Sequence, residues 1–477
     1  MRYSMLVYIS KMGKTLLEAA EYLRAAPADA LRTEIVENGR QMLAQIREVL
    51  EQYRDDLRSE TPLKQLAKIE NAWGKEDRNL GAQLRQLIQQ LPRQVSYQVR
   101  AVFFAELGEK WDAMESVYEY MRDDLRFDPV IVRTPVGRVV ERDGKREQEI
   151  LYKDFLTPMG IPSLGYDQYD IAEDCPELAF ISQPYESCTL EQFWPETIAK
   201  YSRLVYLPYF LPDKVEDGTV ISLAQMPVYR FAWKVICPTE KQYKFYRRHS
   251  ANQGANALLT GAPKTDPFVA LYGKTLPLPS SWRCIEGKTV FLWNSWYDMN
   301  ASSLRYFEAL LEWFDAHQED CALIWRPHPM TDAVTKLHYP DQYPSYQAMI
   351  KRVCDTRNAV LDLETSCATA FSISNAIISD YSSLLAQYLL LDKPALWMKG
   401  KNFHFTGEEF IEGKWMEQAE NIDHILAFMD RCRNGEDRNA AFRSVIRRRD
   451  LYLADGHCGE RICSVLWDSL RQEDDIL

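Results

Sequence analysis

No stretch of the 477-residue chain holds the ~18–20 uninterrupted apolar residues that a membrane-spanning helix needs. The opening MRYSMLVYISKMGK is too short in its apolar part, and too lightly basic before it, to read as a signal peptide. None of the ten cysteines belongs to a CxxC pair; the closest spacing is CGERIC, Cys458 to Cys463. That excludes a zinc pattern and a secreted disulfide framework, and fits a reduced, cytoplasmic compartment. All seven histidines lie at or beyond His249, so the first half must do any acid–base work without imidazole. A DxD pair is also missing, so no metal or other cofactor is expected. A net charge of −12 argues against nucleic acid as a partner.

What is present is a globular composition, 46% hydrophobic and 12% aromatic, in a chain long enough for two or three domains. From Lys14 to Leu91, segments such as TLLEAAEYLRAA repeat apolar residues three or four apart, with i,i+4 charge pairs. Residues 1–93 are therefore expected to be a helical accessory region, serving as an arm or an oligomerisation surface. At Val95 the pattern changes. VRAVFFAEL, DPVIVRTP, PELAFIS, SRLVYLPYF and WKVICP read as short buried strands, alternating with helices such as KWDAMESVYEYMRDD. A second alternation runs through KTVFLW, CALIW, NAIIS and KPALWM and closes in helices. The fold class is thus α/β: two Rossmann-like parallel sheets with a cleft between them, over residues 94–270 and 288–477, joined by a linker at 271–287. Ligands of such sheets bind beyond the carboxyl ends of the strands.

Two segments in the second half carry the chemistry. In CALIWRPHPM a buried strand stops in Arg326 and in His328, which stands between two prolines. Pro327 lacks an N–H and is expected to end the ladder, while Pro329 fits the first turn of a helix, MTDAVTKLH. An imidazole fixed there could donate to a phosphate, protonate a leaving group or contact a base. In SISNAIISDYSSLLAQYLLLDKP a strand ends at Ser379-Asp380, and Ser382 and Ser383 open an apolar helix. The hydroxyls, the unpaired N–H groups and the helix dipole together suit a phosphate. The bland alternatives are a structural histidine and an ordinary capped helix.

RPHP followed by DYSS and LLLDKP resembles the CDP-glycerol glycerophosphotransferase family of teichoic-acid-type polymerases and primases, as do TGAPKTD, AFISQPYE and DLYLADGHCGERICSVL more weakly. The resemblance runs from about Val95 onward. It implies a GT-B fold, a CDP-activated donor held by the second domain, and a surface-polymer or lipid-linked acceptor. It further implies that His328 contacts the donor phosphates or assists the departing CMP, with Arg326 adding charge. Asp380, Ser382 and Ser383 would bind the phosphates, and Asn294 and Ser295 would line the pocket.

The family places a histidine base in the acceptor domain, and here the matching region reads QPYE. Gln183 and Tyr185 are candidate binding residues there, and Glu186, Glu106 or Asp112 would have to supply the base. Two other readings stand beside this one: a nucleotide-sugar GT-B glycosyltransferase of sialyltransferase type, and a non-catalytic nucleotide-binding scaffold. Basic runs at KQYKFYRRH and RSVIRRRD raise peripheral contact with the inner face of the plasma membrane, against a bland reading as solvated helix faces.

Overall fold

The computed structural model describes every residue except 26–29, 76, 107, 143, 153–161, 210–223, 300–301, 381, 400–412 and 477. Four helices open the chain: α1 (Tyr3–Ala25), α2 (Ala30–Gln52), α3 (Thr61–Ala72) and α4 (Leu80–Gln94). Their apolar stripes meet each other through Leu6, Leu16, Leu50, Leu66 and Leu84, all fully or almost fully buried. The same core runs on into Val99 and Phe103 of the first sheet. The helical region is therefore built into the first half of the molecule rather than standing off as an arm. Close packing is demanded at Gly39, where an added Cβ would lie 2.0 Å from the Trp73 ring.

The first sheet holds β1 (Val99–Ala105), β2 (Phe127–Arg133), β5 (Ser163–Gly165), β6 (Leu178–Ile181), β7 (Arg203–Tyr206), β8 (Lys234–Cys237) and β9 (Ala257–Leu259). A separate antiparallel hairpin, β3 (Val136–Arg142) with β4 (Lys145–Tyr152), is inserted after β2. Sheet order is β5-β2-β1-β6-β7-β8-β9, and every pair is parallel. The strands foreseen from apolar runs all form; β3, β4, β5 and β9 were not foreseen. The hairpin is polar and the other two are three-residue strands, so none carries a buried run.

The second sheet holds β10 (Thr289–Ser295), β11 (Cys321–Pro327), β12 (Ala359–Leu361), β13 (Ala376–Ser379), β14 (Ala395–Met398) and β15 (Glu417–Ala419). Its order, β12-β11-β10-β13-β14-β15, is again parallel throughout. Counted within its own sheet, each order begins 3-2-1-4-5-6, so the chain reverses direction between the first and fourth strands. All seven residues of β11 are buried, as expected of a strand covered on both faces. Pro327 is the last residue of β11 and its last paired position, opposite Ser295, as expected of a residue without an N–H. One local expectation needs correction. Pro329 lies ahead of the helix, which begins at Thr331.

The closing helices divide between the two halves. Phe428 of Ile422–Arg433 and Ile446 of Ala440–Asp450 pack on the second sheet. The last helix, Cys458–Glu473, crosses back and puts Ile462, Leu466 and Leu470 into the core of the first half. Asp266 fastens its start by accepting the Cys458 and Gly459 N–H groups at 3.1 and 2.9 Å. A Cβ on Gly459 would come within 2.5 Å of the Ser116 carbonyl. The expected grouping of all terminal helices with residues 288–477 thus misses where this helix buries its face. Among the described residues, no helix is long and apolar enough to cross a membrane.

Candidate active site

In the second sheet the switch point lies between β10 and β13. Ser295 stands opposite Pro327 and Asn294 opposite Ser379, so the loops after β11, β10 and β13 leave the sheet side by side. With about 4.8 Å between neighbouring strands, the backbones at His328 and Asp380 are roughly 10 Å apart, within the span of one nucleotide.

His328 is held from several sides. Its N–H donates to the Ser295 carbonyl at 3.0 Å, and its own carbonyl accepts from Thr331 N–H at 2.8 Å and Thr331 Oγ1 at 2.7 Å. Ring Nδ1 accepts the Met330 N–H at 3.2 Å, which leaves the proton on Nε2. Burial pulls its pKa down to about 4, so near neutral pH the ring is uncharged and Nε2 is a hydrogen-bond donor. Ser382 is extended, with φ −158° and ψ 142°, and its Oγ accepts the Leu384 N–H at 3.2 Å as the N-cap of the Ser383–Tyr388 helix. Ser383 follows, half-buried, with no hydrogen-bond partner for its hydroxyl among the described residues.

Four expected phosphate-side residues do other work. Asp380, 6% exposed, accepts the Trp296 N–H at 2.9 Å and the Ser303 N–H and Oγ at 3.0 and 2.7 Å. Burial raises its pKa while these bonds oppose the rise, and the bonds make it an anchor of the loop after β10. Arg326 is buried, pairs with Asp362 at 2.7 Å, and donates to the Glu364 and Thr365 carbonyls. Its charge is spent on the loop after β12. Asn294 donates to the Arg326 carbonyl and accepts from Ser379 Oγ, both at 3.1 Å, which ties three strands together. Ser295 accepts the Trp325 indole N–H at 3.1 Å and is fully buried.

The first sheet's switch point lies between β1 and β6, and it brings two foreseen residues together. Glu106, just past β1, accepts from Gln183 Nε2, just past β6, at 3.2 Å. Lys110 pairs with the same carboxylate oxygen, Oε2, one helical turn on. Glu106 is 5% exposed, and burial raises its pKa against the pull of Lys110. Its Oε1 is buried and has no hydrogen-bond partner among the described residues. Tyr185 is hydrogen-bonded to Tyr209, over whose ring the Lys110 ammonium stands at 5.0 Å. Asp112 lies where the halves touch: it pairs with Lys264 at 3.5 Å and accepts from Gln387 Nε2 at 3.1 Å. Burial raises its pKa also. Gln387 belongs to the Ser383–Tyr388 helix, so this contact ties the serine-capped helix to the first half. Glu186 stands apart in a short 3-10 turn, Glu186–Cys188; burial and the nearby Glu196 raise its pKa.

Sequence reasoning overlooked Trp296, Tyr297, Lys110, Lys264 and Gln387. Two of these had a signal: Lys110 is four residues after Glu106, and WYD directly follows the first strand of the second sheet. Lys264 and Gln387 come from distant segments. Among the described residues, no three His, Cys, Asp or Glu side chains gather so that they could hold a metal ion.

The family model described as CDP-glycerol:poly(glycerophosphate) glycerophosphotransferase matches residues 225–468. No curated protein matches the chain. Among solved structures, a putative UDP-N-acetylglucosamine 2-epimerase from Listeria monocytogenes is 10% identical, with a TM-score of 0.53, covering 79% of this chain and 97% of its own. The S. aureus MnaA–UDP co-structure is 11% identical with a TM-score of 0.51, covering 78% and 97%. The wall teichoic acid polymerase TagF is 13% identical with a TM-score of 0.50, covering 87% and 99%. These likenesses concern the fold: two parallel sheets facing one cleft.

Proposed function

Because the chain belongs to the CDP-glycerol:poly(glycerophosphate) glycerophosphotransferase family and has its GT-B-like fold, we propose that it transfers glycerol phosphate, or a related polyol phosphate, from a CDP-activated donor to an acceptor hydroxyl. The acceptor is a cell-surface polymer or its lipid-linked precursor, and CMP is released. The acceptor oxygen attacks the donor's β-phosphorus in line, the new P–O bond forms, and the P–O bond to CMP breaks. The hydroxyl proton passes to Glu106, and CMP departs with the electron pair of the broken bond.

Most of the acceleration in such a step comes from positioning and from charge stabilisation around the phosphorus. Neutral His328 donates from Nε2 to a phosphate oxygen, and the hydroxyls of Ser382 and Ser383 add donors nearby. Glu106 is preferred as base over Asp112 and Glu186 on one observation, which also carries the reading. It stands just past β1 at the first sheet's switch point, with Oε2 held by Lys110 and Gln183 and Oε1 without a partner among the described residues; Asp112 likewise keeps Oδ1 without one, but it is tied to Lys264 and Gln387 where the halves touch. A carboxylate raised by burial is a better base than a solvated one.

The test is CMP release from CDP-glycerol or CDP-ribitol with a synthetic acceptor, with UDP-sugars in parallel. Glu106→Gln and His328→Gln are each expected to lower kcat about 10²- to 10⁴-fold, and Glu186→Gln to leave it within a few-fold. Release of UDP from a nucleotide sugar, or full activity in Glu106→Gln, would overturn the respective part. Binding of cytidine nucleotides without turnover would make the chain a scaffold.

A further inference from the structure

Three neighbouring strands of the first sheet, β1, β6 and β7, end in segments that converge on the Glu106 carboxylate. Lys110, in the short helix Gly108–Trp111 after β1, and Gln183, after β6, both donate to the same oxygen, Oε2. The lysine is held from a third side, since its ammonium stands 5.0 Å from the ring centre of Tyr209, past the end of β7. Lys264 Nζ donates to the Tyr209 carbonyl at 2.5 Å and so fastens the backbone that carries this ring. On an open helix surface a Glu–Lys pair four residues apart would be screened by water. Here the carboxylate side chain is 5% exposed and the lysine 16%, so the ammonium governs how readily the carboxylate takes a proton. An oxygen that already accepts two N–H donors is the weaker base of the two, which leaves Oε1 as the stronger one.

We propose that Lys110, assisted by Gln183, is the positioning residue of the base: it keeps the Glu106 carboxylate ionised at working pH and directs proton uptake to Oε1. This rests on the transferase reading above. Burial alone would push the Glu106 carboxyl further up, and the ammonium opposes that rise. The other titratable groups at this corner do not replace it. Tyr209 and its hydrogen-bonded neighbour Tyr185 are pushed by burial above the usual phenol range and stay uncharged. Lys264 is engaged by Asp112 at 3.5 Å. In the acid–base step the acceptor hydroxyl gives its proton to Oε1, while Lys110 keeps its own protons and its bond to Oε2.

The kcat–pH profile of CMP release by the full chain, from CDP-glycerol with a synthetic acceptor, tests this. Lys110→Met keeps the apolar stem and removes the charge, and its acid limb is expected to move up by about 1–3 pH units. On the acid side kcat then falls about 10- to 1000-fold, and at high pH it returns to within about 10-fold of the wild type. Lys110→Arg restores a cation and is expected to bring the limb back toward its wild-type position. KM for CDP-glycerol should stay within about 2-fold in both variants. A limb that does not move in Lys110→Met overturns the role, as does a loss of equal size at every pH, which is what a merely structural lysine would give; the transferase reading survives either result. Should Lys110→Met fail to fold, Gln183→Leu removes the other bond to Oε2 and is expected to raise the limb by a smaller step. An unmoved limb in that variant overturns the role too. A wild type that releases no CMP removes the transferase reading, and the role of Lys110 with it.

Discussion

At the scale of single residues, protonation ties the site to stability. His328 stays neutral in the folded chain down to about pH 4, against 6.5 for a free imidazole. Between those values the unfolded chain binds more protons, so stability is full above the free pKa and falls as pH drops through the window. The loss at full protonation is roughly 3 kcal/mol. Urea unfolding at pH 7 and pH 4.5 should show a drop for the wild type that is roughly 2 kcal/mol larger than for His328→Gln; equal drops would place the ring in solvent. Glu106 has the opposite charge logic. Burial raises its pKa, so the active carboxylate is lost as pH falls through that raised value. The acid limb of a kcat–pH profile is expected to lie above the ordinary glutamate range and to vanish in Glu106→Gln.

Elements place these residues. Asp380 is the pin between the end of β13 and the loop after β10, accepting three bonds from that loop. Asp380→Asn should cost about 1.5–3 kcal/mol by thermal or urea unfolding. It should also weaken CMP binding, because the loop after β10, whose Tyr297 ring stands 5.2 Å from the His328 ring, is released. Unchanged CMP affinity would detach the loop from the ligand. Ser382→Ala removes the cap of this helix, and a loss of about 1 kcal/mol of stability is expected from that. The DKP that follows this helix is structural throughout. Asp392 takes the left-handed conformation, φ 57°, and pairs with the fully buried Arg443 at 3.2 Å. Lys393 donates to the Phe371, Ser372 and Ser374 carbonyls at 2.7–2.8 Å, and burial pulls its pKa down to about 8. Part of the motif that marked the family therefore holds the helix in place.

On the scale of the whole molecule, the last helix binds the halves together. Ile462, Leu466 and Leu470 are fully buried against the first half, and each such side chain contributes about 1.5–3 kcal/mol. Domain stabilities are typically only ~5–15 kcal/mol. A chain stopped after Asp455 is therefore expected to lose cooperative unfolding, measured by circular dichroism, and to aggregate through its uncovered first-half core. Retention of a sharp melt would mean that the first half is stable alone. The Asp112–Gln387 contact works at the same scale, because it sets the distance between the acceptor-side acids and the serine-capped helix.

The sequence by itself determined the two parallel sheets, through short apolar runs that could only be strands buried on both faces. It also determined His328 and the Ser382 cap, through proline and serine placed at strand ends where local geometry leaves few choices. Short or polar strands such as β5 and β9 escaped because they bury too little to leave a pattern. Only the tertiary structure decided which acids and cations are spent on each other. Arg326 meets Asp362 and Asp380 meets Ser303, whereas Glu106 keeps one oxygen open. The reason is physical: a charge is free or satisfied according to its neighbours in space, and here those neighbours come from segments tens to hundreds of residues away.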